Sequence, residues 1–181
     1  MAPQTALHPA LSRVLFDEET LSARIKELGA QITRDYAGKR LVVVGVLKGS
    51  VIFLADLLRV LGPEVDVETD FVAVSSYAGT ASTGAVRTLL DLRQSPEGKD
   101  LLLVEDIVDT GLTVNVLTET LRTHRPNSLE VCTLLDKPEC RKIQFQPKYV
   151  GFTIPNEFVV GFGLDYDERY RQLPCVGVLR I

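Results

Sequence analysis

The stretch "RLVVVGVL" (40–47) constrains the fold of this chain more than any other. A short, nearly unbroken run of β-branched and aliphatic side chains marks a strand buried on both faces, as in a parallel sheet covered by helices. "LLLVEDIV" (101–108) has the same character. Between such runs the spacing turns helical. Leu21, Ile25, Leu28 and Ile32 recur along "DEETLSARIKELGAQITRDYAGK", with Asp17 as N-cap, acids in the first turn and Gly38 as the stop. "VIFLADLLRVLG" is a second helical pattern closed by Gly62-Pro63, and "GLTVNVLTETLRTH" a third with Val114, Leu117 and Leu121 inward.

The remaining segments complete an alternating order. "VDVETDFVAVSSY" (65–77) alternates as a strand, and the small, polar, Gly-rich "AGTASTGAVR" after it has the composition of a mobile loop. "SPEGKD" (95–100) is a turn, and "SLEVCTLLDKP" is a strand ended by Pro138. The tail reads as short strands and turns in "YVGFTIP", "FVVGFGLDY" and "CVGVLRI". Strands that alternate with helices predict an α/β fold, a doubly wound and mostly parallel sheet with helices on both faces. At 181 residues, without repeats or linkers, the chain suits one well-cored domain.

Charge and composition exclude several function classes. A net charge of −4 offers no basic face to a nucleic acid, so an anionic ligand must be met by local Lys, Arg or backbone N–H groups. Cys132, Cys140 and Cys175 are odd in number and form no CxxC pair, which argues against a disulfide framework or a zinc site and for a reducing compartment. With only His8 and His124, histidine-based nucleophilic catalysis is poorly supplied. "MAPQTALHPA" lacks the basic and apolar regions of a signal peptide, and no apolar run approaches the roughly 18 residues of a membrane helix. The expectation is a cytoplasmic protein with no membrane partner.

The chemistry gathers at "LLLVEDIVDTGLT". Ligands of open α/β sheets bind outside the carboxyl ends of strands, where Glu105, Asp106 and Asp109 fall. "TGLT" then opens a helix: Gly111 can take positive φ, Thr110 and Thr113 add hydroxyls, and the unpaired N–H groups of the helix start face one spot. That is a phosphate cradle, each charge–dipole contact contributing about 0.3–1 kcal/mol. It is neither a Walker A loop nor a dinucleotide fingerprint, since GxxxxGK[ST] and GxGxxG are both missing. Acids on an arbitrary loop are usually just solvated. These follow a strand too apolar for an edge and precede an anion-binding turn.

The apolar run, two acids, two residues, Asp-Thr-Gly and Leu-Thr of "LLLVEDIVDTGLT" resemble the phosphoribosyl pyrophosphate loop of type I phosphoribosyltransferases. "VGVLKGS", "LLDKPECRK" and "YVGFTIPNEFVVGFGLDYDERYRQLP" resemble the bacterial hypoxanthine(-guanine) phosphoribosyltransferases, over roughly residues 40 to 181. The resemblance implies one phosphoribosyltransferase domain over 1–181, with a small hood from the chain ends, about residues 1–12 poorly ordered and 75–90 a mobile active-site loop. It further implies purine salvage. A 6-oxopurine base, hypoxanthine and/or guanine, joins the ribose 5-phosphate of phosphoribosyl pyrophosphate and releases pyrophosphate through an oxocarbenium-like transition state. Magnesium (Mg2+) as cofactor and a homodimer or homotetramer are implied as well.

By the same resemblance Glu105 and Asp106 hold the ribose hydroxyls, directly or through Mg2+, a hard cation suited to carboxylate oxygens. Asp109 exchanges a proton with the purine's imidazole nitrogen, and Asp109, Thr110, Gly111, Leu112 and Thr113 cradle the 5′-phosphate. Lys137, which can only donate, faces the 6-oxo group, while Phe158 stacks on the base and Val159 offers its backbone. Asp165 lies near a second magnesium and the pyrophosphate, and Arg171 grips pyrophosphate with its planar fork. Lys48-Gly49 matches a pyrophosphate-binding turn that carries a non-proline cis peptide in many members. Ser76-Tyr77 matches the tip of the loop that closes over the site and excludes water. Without the resemblance, Lys137 reads as an exposed strand-end lysine and Phe158 as core.

Two rival readings have to be weighed. A regulator of the same fold that binds phosphoribosyl pyrophosphate or nucleotides has no use for a proton-transfer acid and calls for a basic face that is missing here. A transferase for adenine or a pyrimidine is disfavoured by Lys137 and "FVVGFGLDY".

Overall fold

The computed structural model describes residues 7–76 and 86–180. The strands are β1 (Leu11–Phe16), β2 (Arg40–Leu47), β3 (Asp66–Ser76), β4 (Val86–Leu90), β5 (Asp100–Val108), β6 (Ser128–Asp136), β7 (Tyr149–Thr153), β8 (Val159–Val160) and β9 (Val176–Leu179). The helices are α1 (Glu18–Asp35), α2 (Val51–Val60) and α3 (Leu112–Thr123), and a 3-10 turn spans Pro138–Cys140. The main sheet has the order β4-β3-β2-β5-β6-β7. β3, β2, β5, β6 and β7 run parallel, and β4 pairs antiparallel with β3 at the edge. A second, antiparallel sheet of order β1-β9-β8 joins the two chain ends into a hood.

Alternation along β2 explains the double winding. Leu41 and Val43 belong to one core with Leu21, Ile25, Phe53 and Leu54 of α1 and α2. Val42, Val44 and Val46 belong to the other, with Val114, Leu117 and Leu121 of α3. Both faces of the strand are therefore dry, as its composition requires. Asp17 caps α1 by accepting from the Thr20 amide at 2.8 Å. Gly38, at φ +75, follows the helix and turns the chain toward β2.

Three expectations need correcting. Leu11 and Ser12, expected within a poorly ordered start, lie in β1, with Leu11 fully buried. The segment expected to be a loop over 75–90 is strand at both its ends, since β3 runs to Ser76 and β4 starts at Val86. Tyr77 and the loop body through 85 lie outside the described residues. "FVVGFGLDY" is strand only at Val159–Val160, because Gly161, Phe162 and Gly163 all take positive φ and end the pairing. No described helix is long and apolar enough to cross a membrane.

Candidate active site

The carboxyl ends of β2, β5 and β6 lie side by side, and each delivers candidate residues to one place. β5 delivers Glu105 and Asp106, and the turn after it carries Asp109, Thr110 and Gly111 into α3. Gly111 is the N-cap residue at φ +83, so the left-handed turn expected from sequence is present. A concavity of about 210 Å³ lies here, lined by Glu105, Asp109, Thr110, Gly111 and Thr113 among others. Leu112 opens α3 half-buried beside it.

The two adjacent acids face opposite sides of β5, as successive strand residues must. Glu105 lines the concavity after β5, whereas a Cβ on Gly49 would overlap the Asp106 carboxylate. Glu105 is only 6% exposed, and burial, reinforced by the charge of Asp106, pushes its carboxyl well above the usual range. Asp106 is pushed up to about 6, chiefly by burial and also by Asp165, against the opposing pull of the Ile107 amide and Arg171. A buried, unpaired carboxylate calls for a cation or for hydroxyl donors. Among the described residues no group of three or more His, Cys, Asp or Glu side chains could hold a metal. The donor set fits magnesium held by one or two carboxylates, with water and substrate oxygens completing the shell.

A raised native pKa means that the folded state binds the proton more tightly than the unfolded one. The stability Asp106 contributes is full below about pH 4, is lost as pH rises through about 6, and stays lost above that. Asp106→Asn, which cannot ionise, is therefore expected to stabilise metal-free protein at pH 8 by about 1–3 kcal/mol. The gain should vanish near pH 4, as urea melts at the two pH values would show. An equal difference at both would contradict the assignment.

On the far side of Asp106, Lys48 and Gly49 follow β2, and the cis peptide falls at Leu47–Lys48. Gly163, at φ +101, packs so closely that a Cβ there would overlap the Gly49 carbonyl oxygen. Asp167, Glu168 and Tyr170 then take positive φ, backbone that non-glycine residues rarely adopt. This turn brings Arg171 back onto its own start. Its Nη1 donates to the Gly163 carbonyl at 2.8 Å and lies 2.9 Å from Asp165 Oδ1. Its buried Nε has no partner among the described residues. Glu168, which sequence reasoning passed over, lies 3.1 Å from Lys48 Nζ and 3.4 Å from Arg171 Nη2. One carboxylate thus sits between the two cations assigned to an anionic ligand.

β6 delivers Lys137, which is 6% exposed rather than a solvated strand-end lysine, with Nζ 3.7 Å from Asp109 Oδ2. Phe158 is 45% exposed, with Tyr166 edge-on to its ring at 5.5 Å. The ring is thus not spent on core packing. Val159 is buried in β8 against Val178. Ser76 ends β3, paired with Val86 of β4. Sequence reasoning also missed Asp136 and Arg141, a nearly buried ion pair directly behind the Asp109 loop.

Residues 14–167 match the model of the phosphoribosyl transferase domain family, and the chain belongs to that family. A hypoxanthine-guanine phosphoribosyltransferase of Lactococcus lactis is 51% identical over 175 residues, 96% of this chain and 94% of that protein. Among solved structures, a hypoxanthine phosphoribosyltransferase from Staphylococcus aureus superposes with a TM-score of 0.92 at 50% identity, covering 98% of this chain and 96% of that one. A Trypanosoma cruzi hypoxanthine phosphoribosyl transferase gives 0.90 at 47% identity, covering 96% and 93%. The fold is that of the type I phosphoribosyltransferases.

Proposed function

We propose that this chain is a purine-salvage enzyme that transfers phosphoribosyl from phosphoribosyl pyrophosphate to hypoxanthine and/or guanine, yielding IMP or GMP and pyrophosphate. The observation that carries the reading is the pairing of Lys137 with Asp109 beside the anion-binding turn. It puts a donor for an oxo group and an acid–base group at one edge of a phosphate cradle. The amides of Asp109 to Thr113 bind the 5′-phosphate, and Glu105 and Asp106 accept from the ribose hydroxyls. Lys48, Gly49 and Arg171 take the pyrophosphate, displacing Glu168 from both cations. Phe158 stacks on the base, the Val159 backbone meets its edge, and Lys137 donates to the 6-oxo oxygen.

As the bond from C1′ to pyrophosphate oxygen breaks, positive charge develops on the ribose ring and negative charge on the departing group. An imidazole nitrogen of the base then bonds C1′ through its free lone pair, and Asp109 receives the proton that the imidazole ring gives up. Magnesium, held by one or two of the carboxylates Glu105, Asp106 and Asp165 with substrate oxygens completing its shell, would neutralise charge on the leaving pyrophosphate. Ser76, at the end of β3, and Tyr77 lead into the segment expected to exclude water during this step. The enzyme works in the cytoplasm as a homodimer or homotetramer.

Lys137→Ala is expected to raise KM for hypoxanthine tenfold to a hundredfold, as loss of a charged hydrogen bond worth about 1.5–3 kcal/mol implies, with KM for phosphoribosyl pyrophosphate much less affected. Steady-state kinetics at varied base concentration test this, and an unchanged KM for hypoxanthine would remove the lysine's role.

A further inference from the structure

Three consecutive carbonyls of the phosphate loop are all taken by one short segment behind it. The Val108 carbonyl accepts from the Lys137 amide at 3.0 Å and from Arg141 Nη1 at 2.8 Å. The Asp109 carbonyl accepts from the same Nη1, and the Thr110 carbonyl from the Lys142 amide at 3.0 Å. Arg141 uses its whole fork: Nε donates to the Phe145 carbonyl at 3.2 Å, and Nη2 pairs with Asp136. Both partners of that pair are nearly buried. Packing reinforces the grip, since a Cβ on Gly111 would stand 3.0 Å from Ile143 and 3.4 Å from Arg141 Cδ.

A peptide's N–H and C=O point in opposite directions. With the carbonyls of Val108, Asp109 and Thr110 held from behind, the amides that follow them in the chain face the concavity. We propose that Arg141, anchored by Asp136, is a positioning residue for phosphoribosyl transfer. It aims the loop's amides at the 5′-phosphate. The inference rests on the phosphate-cradle reading of residues 109–113. A guanidinium is needed because only a planar fork serves one carboxylate and several carbonyls at once. Lysine would keep the charge opposite Asp136 and lose most of the carbonyl contacts.

Arg141→Lys and Asp136→Asn, purified with wild type, provide the test. The readouts are ribose 5-phosphate affinity by calorimetry, KM for phosphoribosyl pyrophosphate and for hypoxanthine, kcat, and the melting temperature. In folded Arg141→Lys, ribose 5-phosphate affinity should fall and KM for phosphoribosyl pyrophosphate rise by on the order of tenfold to a hundredfold, the scale of an ångström-level misplacement. KM for hypoxanthine should change far less. Asp136→Asn, which keeps the fork but frees it, should move the same two quantities in the same direction by less, and it carries the test if the lysine variant does not fold. A lower melting temperature with both quantities unchanged would mean a merely structural role and overturn the proposal. Wild type that neither binds ribose 5-phosphate nor turns over would overturn the cradle reading itself. Wild type that does both while the variants match it overturns the positioning role alone.

Discussion

Asp109→Asn lowers kcat by about 10²- to 10⁴-fold, the usual contribution of a positioned acid–base group, while KM for phosphoribosyl pyrophosphate stays close to wild type. Asparagine is isosteric, so the turn from Asp109 to Gly111 keeps its carbonyl contacts to Arg141 and Lys142, and the cradle survives. What is lost is the ability to receive a proton at the place where Lys137 Nζ lies 3.7 Å away. If Asp109 only accepted a hydrogen bond, the amide oxygen would replace it at modest cost. A loss of kcat below about tenfold, or an equal loss in binding and turnover, would therefore refute proton transfer.

Gly163→Ala has the second large effect and acts on the other half of the site. Its φ of +101 lies where an L side chain is strained, at a cost of about 1–3 kcal/mol. The added methyl group would also overlap the Gly49 carbonyl, which is backbone and cannot swing aside. Gly49 in turn packs on the Asp106 carboxylate, and the Gly163 carbonyl accepts from Arg171. The substitution thus lowers the urea midpoint and raises KM for phosphoribosyl pyrophosphate together, with KM for hypoxanthine least changed. A variant with wild-type stability and KM would show that this packing does not set the pyrophosphate side.

The parts of the fold legible in the sequence are those with one-dimensional causes. β2, β5 and β6 are dry on both faces, so their composition alone identifies them. β1 is dry only at Leu11, and the rest of it is exposed or half-exposed, so no alternation marks it. Edge strand β4 exposes Leu89 and Leu90 and follows a Gly-rich stretch, which hides it equally well. "FVVGFGLDY" looks like a strand by side-chain pattern, but the φ values of its glycines break the pairing. The acids and the glycine turn after them were legible because Glu105 to Thr113 are contiguous, so spacing alone carries the geometry. Arg141 and Glu168 were not, because their partners are set by turns that bring separated segments together. A lone arginine or glutamate in a polar segment leaves no periodic trace of such a contact.

The central claim is transfer of phosphoribosyl to a 6-oxopurine. Pyrophosphate release from phosphoribosyl pyrophosphate, followed with hypoxanthine, guanine, xanthine, adenine and uracil in turn, with Mg2+ and again with excess chelator, tests it most directly. The predicted result is release with hypoxanthine, guanine or both, none with adenine or uracil, and none with any base once the metal is chelated. Release with adenine or uracil alone, full rates in chelator, or no release with any of the five bases would contradict it.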